Sequence, residues 1–220
     1  MNKPVAALSF ATLMLVASLA LAAADTSAWS DGGLVKKPVQ GIDVAYVRPG
    51  VNMAEYKKFL IKPVTVSFRR GWLQQPLPGT KFKIDPADAQ KIRDKLAKLV
   101  QEEFQKELAA GGYEVVGAPA DDVLEMEAAI VDLYVAAPAA TKSPTTRTFA
   151  VSAGEMSLVA QFSDSMTGDV LARAFDYASA HETMRAQSIS SVDNEAEARG
   201  IVSTWAKILR RQLDAAHGIK

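Results

Sequence analysis

The chain has 220 residues, balances 25 Lys and Arg against 25 Asp and Glu, and contains no cysteine. That length can bury a stable core without disulfide staples, and the missing thiols exclude cysteine nucleophiles, thiolate metal sites and redox switching. The cation pairs Lys36-Lys37, Lys57-Lys58, Arg69-Arg70 and Arg210-Arg211 are scattered rather than gathered in a stripe; a neutral surface of this kind gives no electrostatic reason to bind nucleic acid or anionic lipid.

Residues 1–24 read as a cleaved signal peptide. Lys3 supplies the positive start, Val5 to Leu21 the apolar run, and Ala20-Leu21-Ala22 the small-x-small cleavage pattern, with cutting expected after Ala22 or Ala24. Lipid attachment needs a cysteine at the cleavage point, so the expected product is periplasmic, not lipid-anchored, and without a transmembrane segment. Residues 25–55 carry Trp29, Gly32-Gly33, Pro38, Gly41 and Pro49 with no sustained period. They read as an extended N-terminal arm, and regular structure is expected from Tyr56.

Phe59 to Phe68 is β-branched and aromatic, with Val64, Val66 and Phe68 alternating. Pro63 cannot donate to a ladder, which predicts an edge strand or pairing that starts near it. A loop carrying Trp72 follows. Asp85 as cap, Pro86 at the first position and Asp88 in the first turn open a helix whose face is Ile92, Leu96, Leu99, Val100, Phe104 and Leu108. Gly111-Gly112 ends it. Tyr113 to Val116 is a short strand, and Leu124 to Val135 a longer one whose alternation slips at Ile130-Val131, as a bulge or two-sided burial would make it. Phe149 to Ser163 faces Met156, Leu158, Ala160 and Phe162 one way. Asp164 to Asp169 is a hairpin turn, and Leu171, Arg173, Phe175 and Tyr177 share a face of the returning strand. Ser191 or Asp193 caps a last helix with the stripe Ala198, Ile201, Val202, Trp205, Ile208, Leu209 and Leu213.

The expected fold is therefore α/β of the α+β kind, in β-α-β-β-β-β-α order. It has a single mixed, mostly antiparallel sheet with two long amphipathic helices packed on one face. Residues 56–217 form one domain, and the first strand-helix-strand unit is a candidate parallel crossover.

No catalytic pattern emerges. His181-Glu182-Thr183-Met184-Arg185 has arginine where a zinc protease needs its second histidine, and His217 is the only other histidine. Asp164 to Asp169 resembles a calcium loop in composition, but Met166 stands at the third position, and the turn alone accounts for Asp, Ser, Thr and Gly. Glu125 and Glu127 fall on one strand face about 7 Å apart, which suits acid–base work or simple solvent-facing alternation. Gly79-Thr80-Lys81 lacks the earlier glycine of a phosphate loop, and no Gly-x-Ser-x-Gly elbow exists. No catalytic residue, cofactor or metal site is expected. Trp72, flanked by Arg69 and Arg70, reads either as an anchor for a partner protein or as a ring tucked over the sheet edge.

The set Tyr46-Val47-Arg48-Pro49-Gly50, Tyr56 to Val64, Leu108 to Val116, Leu124 to Ile130, Asp164 to Leu171 and Trp205-Ala206 resembles a bacterial envelope family known as domain of unknown function 3313, most of whose members are lipoproteins. The resemblance spans nearly all of the mature chain. It implies an envelope location and one α/β domain, and it carries no activity and no catalytic residues. This chain departs from the family where the lipid-bearing cysteine would stand.

The leading functional expectation is a noncatalytic exported protein that binds another periplasmic or outer-membrane component. The alternative is a periplasmic hydrolase or small-ligand binder whose site is assembled from residues distant in sequence.

Overall fold

The structure, a computed structural model, describes residues 26–76, 83–135, 153–179 and 191–219. The signal-peptide reading, Gly79-Thr80-Lys81 and His181 to Arg185 lie outside the described residues.

A 3-10 turn over Thr26–Gly32 leads into β1 (Val35–Lys36) and β2 (Val44–Val47), then β3 (Lys58–Ile61) and β4 (Thr65–Phe68). Helix α1 (Pro86–Ala110) is followed by β5 (Glu114–Val115), β6 (Val123–Val135), β7 (Ala153–Asp164), β8 (Val170–Ser179) and helix α2 (Ser191–Ala216). The strands form one 8-stranded mixed sheet, ordered β1-β2-β8-β7-β6-β3-β5, with β4 also pairing with β6. β6, β7 and β8 make the antiparallel meander, while β3, β4 and β5 pair in parallel. This is the α+β fold expected from the pattern.

Two readings need correction. The stretch from Phe59 to Phe68 is not one strand. Pro63 interrupts it, so β3 runs beside Val123 to Met126 and β4 resumes beside Ala129 to Leu133 on the same side of β6. Regular structure also starts before Tyr56: β2 pairs with β8 from Val44↔Phe175 to Val47↔Ala172, and β1 adds the outer edge. A four-residue strand is too short to show a period, which is why the arm looked irregular.

Helix α1 begins as its residues dictate, with the Asp85 carboxylate accepting the Asp88 N–H at 2.8 Å and proline at the start of the first turn. Gly112 supplies the left-handed turn that ends it, at φ +81°. The slip in β6 is a bulge. Pairing with β7 shifts between Val131 and Tyr134, and Asp132 sits at φ +53°, a conformation aspartate tolerates better than most residues. A second irregularity between Phe162 and Ser163 moves Leu171 off the face it was expected to share with Arg173 and into the main core.

That core joins both helices to one sheet face: Ile92, Leu96 and Phe104 of α1, Val202 and Trp205 of α2, and Met126, Ile130 and Met156 of the sheet. The helices are also clamped to each other. Arg199 Nη1 donates to Glu103 Oε1 at 2.5 Å and Arg210 Nη1 to Glu107 Oε2 at 3.0 Å, both carboxylates being buried. The opposite sheet face is not left to solvent. Trp29, 1% exposed, packs with Ala129, Val131 and Val159 in a second cluster, edge-on to Tyr46 and beneath the Arg173 guanidinium.

Candidate functional site: an apolar crevice under the last helix

Strand register builds the site. Ala45 of β2 pairs with Ala174 of β8, Ala174 with Ala160 of β7, and Ala160 with Ala128 of β6. Four alanines thus lie in one row across four neighbouring strands. A side chain that ends at Cβ leaves the sheet floor low, and three of the row, Ala45, Ala160 and Ala174, line the space beneath α2. The result is a crevice of about 170 Å³ between α2 and strands β2, β8 and β7. Its walls include Val47, Met53, Leu158, Phe162, Trp205 and Leu213. Polar side chains are sparse: the exposed Lys37 and Gln212, together with Arg173 and Tyr46, stand among the lining residues.

The wall around Trp205 is fixed by hydrogen bonds. Its indole Nε1 donates to Asp176 Oδ2 at 2.7 Å, the other Asp176 oxygen accepts the Asp43 N–H at 3.0 Å, and Asp43 accepts the Tyr177 N–H. A buried carboxylate with both oxygens engaged holds the ring against the sheet. At the loop before β2, Gly41 lies so close to Ile208 that a Cβ there would sit 3.0 Å from its Cδ1. The Gly41 φ of +83° also favours glycine, so a larger residue there would be strained and would press on the end of the Ile208 side chain.

Trp72 is not the exposed anchor that a partner-binding loop would need. It is 6% exposed and stacks on Phe68 with centroids 5.0 Å apart and planes 7° from parallel. Gly71, at φ +77°, turns the chain back so that the ring covers the sheet edge. Arg69 pairs with Glu155 and lies over the Tyr134 ring, whereas Arg70 is exposed.

The acidic candidates are also placed. Glu125 sits 3.3 Å from Lys62; burial, and then the Glu125 charge, pushes the neighbouring Glu127 carboxyl above its ordinary range. Asp164 Oδ1 accepts the N–H groups of Thr167 and Met166 at 2.8 and 2.9 Å, so it organises the hairpin turn. His217 has Nδ1 2.9 Å from the Leu213 carbonyl and an edge contact with Tyr113. Among the described residues no three His, Cys, Asp or Glu side chains gather as metal ligands would, and no helix is long and apolar enough to cross a membrane.

The crevice was missed in the sequence because its signal is a register, not a motif. Ala45, Ala160 and Ala174 are ordinary one by one, and only the pairing aligns them.

The family follows from the comparison with known proteins. A family model described as "Protein of unknown function (DUF3313)" matches residues 27–209. This chain belongs to that family. No curated protein matches it. Among solved structures, the PelC dodecamer from Paraburkholderia phytofirmans is similar at 13% identity, covering 76% of this chain and 96% of that one, with a TM-score of 0.39. A minor lipoprotein from Acinetobacter baumannii is similar at 12% identity, covering 73% and 94%, with a TM-score of 0.36. A DUF330 protein from Xanthomonas campestris is similar at 14% identity, covering 77% and 93%, with a TM-score of 0.40. The DUF3313 match thus spans α1, the whole sheet, α2 as far as Leu209 and most of the crevice lining.

Proposed function

We propose that this DUF3313 protein is a noncatalytic periplasmic binding protein that takes the hydrocarbon chain of a single-chain anionic amphiphile into the crevice under α2. The observation that carries the reading is the chemistry of the lining. Its walls are mostly apolar, and Lys37 and Arg173 add cations that attract an anionic head without presenting a reactive pair. The signal-peptide pattern of residues 1–24 supports the periplasmic part. The reading in which Trp72 anchors another envelope protein has less support, because that ring is stacked against Phe68.

The test is a titration with fatty acids below their micelle concentration, followed by tryptophan emission, since Trp205 lines the crevice. Saturable binding should weaken about fourfold for each methylene removed from the ligand, at about 0.8 kcal/mol per buried methylene. Ala174→Leu, which fills the middle of the alanine row, should abolish the response and leave the melting temperature unchanged or higher. Binding that ignores both chain length and Ala174→Leu would refute the proposal.

A further inference from the structure

A second hollow, of about 250 Å³, lies where the end of β4 meets the first turns of α1. Among the described residues its polar lining comes from Ser67, Arg69, Arg70, Gln74 and Arg93, and no carboxylate lines it. Three guanidinium groups thus border one small space in a chain whose total charge is balanced. Arg69 is compensated by Glu155 and more weakly by Asp132. Among the described residues, neither Arg70 nor Arg93 has a carboxylate within ion-pair distance.

The hollow is also stiff. Arg93 lies over the Phe68 ring at 5.1 Å, Trp72 stacks on the same ring, and Arg93 Nη1 donates to Gln90 Oε1 at 3.2 Å. A guanidinium fixed in this way loses little freedom on gripping a ligand, and its fork matches the oxygens of phosphate or carboxylate. Gathering like charges costs free energy that a bound anion returns. The hydroxyl of Ser67 and the amide of Gln74 add uncharged donors.

We propose that this hollow is an oxyanion site that binds a phosphate group, presented either by a soluble phosphate ester or by a lipid headgroup. It is independent of the crevice reading, because the two hollows share no lining residue. The probes are inorganic phosphate, and vesicles of phosphatidylcholine with and without phosphatidic acid. Phosphate should raise the melting temperature of the full chain more than chloride of equal ionic strength does. It should also shift the Arg70 and Arg93 Nε–H resonances. Arg70→Gln should weaken the response about tenfold, as loss of a charged hydrogen bond does, and Arg70→Gln with Arg93→Gln should remove it. Because Arg70 is exposed, the single variant keeps the test valid if the double variant fails to fold. Vesicle binding that needs phosphatidic acid and is lost in Arg70→Gln assigns the site to a headgroup. Phosphate binding without it assigns the site to a soluble ester. A phosphate response equal to that of chloride, or one that Arg70→Gln leaves intact, overturns the proposal.

Discussion

Trp72 illustrates how a residue's neighbours decide its meaning. Beside two arginines in a loop it could be read as an anchor or as a cover, and the glycine before it resolves the choice by turning the ring onto Phe68. Trp72→Ala should therefore cost about 3–5 kcal/mol, the range for truncating a buried aromatic, as read by chemical denaturation. Stability like that of the parent would return the ring to the surface. Other residues were legible for local reasons. Gly168 takes φ +76° in the hairpin turn, and Asp164 caps that turn through the N–H groups of Thr167 and Met166. Trp29 was not legible. It buries itself against Ala129 and Val159, which lie a hundred residues and more along the chain, and nothing in its own aperiodic segment announces that.

Among the elements, α1 was readable from cap to terminus because its signals are all internal: Asp85, Pro86, the apolar stripe and Gly111-Gly112. What α1 packs against was not. Glu103 and Glu107 carry no local mark of burial, yet they meet Arg199 and Arg210 of α2. The junction is tight at Gly111, where a Cβ would come within 2.9 Å of both Arg210 Cδ and the Tyr113 ring. Its φ of −82° suits any residue, so the requirement is for space and not for backbone freedom. Gly111→Ala should then destabilise by about 1–3 kcal/mol, as overpacking does, although alanine is the better helix former. In a double-mutant cycle with Arg210→Ala the two losses should fall short of their sum; additivity, or a stabilising Gly111→Ala, would contradict the close contact. Strand pairing was legible where a hairpin imposes it, as between β7 and β8, and in the expected parallel crossover, since β3 and β5 pair in parallel on either side of α1. The parallel pairing of β3 and β4 with β6 was not, because no local pattern states which strand lies beside them.

For the molecule as a whole, the layout of one sheet with both helices on one face followed from counting stripes, since each helix had to bury one. The crevice did not follow, because it is a gap between a floor and a roof set by residues far apart in sequence. The pH dependence of stability also belongs to this scale, since Tyr56 and Asp164 tie the start of the domain to its hairpin at 2.9 Å. The Thr167 N–H above all, with the Tyr56 hydroxyl, holds the Asp164 carboxyl below its ordinary range. That stabilisation is complete above about pH 4 and is lost as pH falls through the folded-state value. Burial first, and then the bond to Asp164, pushes Tyr56 from 10.0 up to about 12; burial and Asp214 raise Tyr113 as well. These contributions are complete below about pH 10 and are lost as pH rises through the folded-state values. Urea unfolding followed from pH 3 to 12 should give a plateau with a falling limb on each side. Tyr56→Phe should lower the plateau and flatten both limbs, and a variant whose limbs match the parent's would show that this pair does not shape them.

The placement of Trp29 has a practical corollary for anyone handling the protein. The polypeptide enters the fold on the sheet face away from α2, whereas Gln212, Leu213 and Ala216, in the last turns of α2, border the crevice. A purification tag or sensor-chip tether joined ahead of Thr26 should therefore leave ligand binding in the crevice unchanged. The same attachment after Ile219 follows directly on the turns of α2 that line the crevice and should weaken that binding.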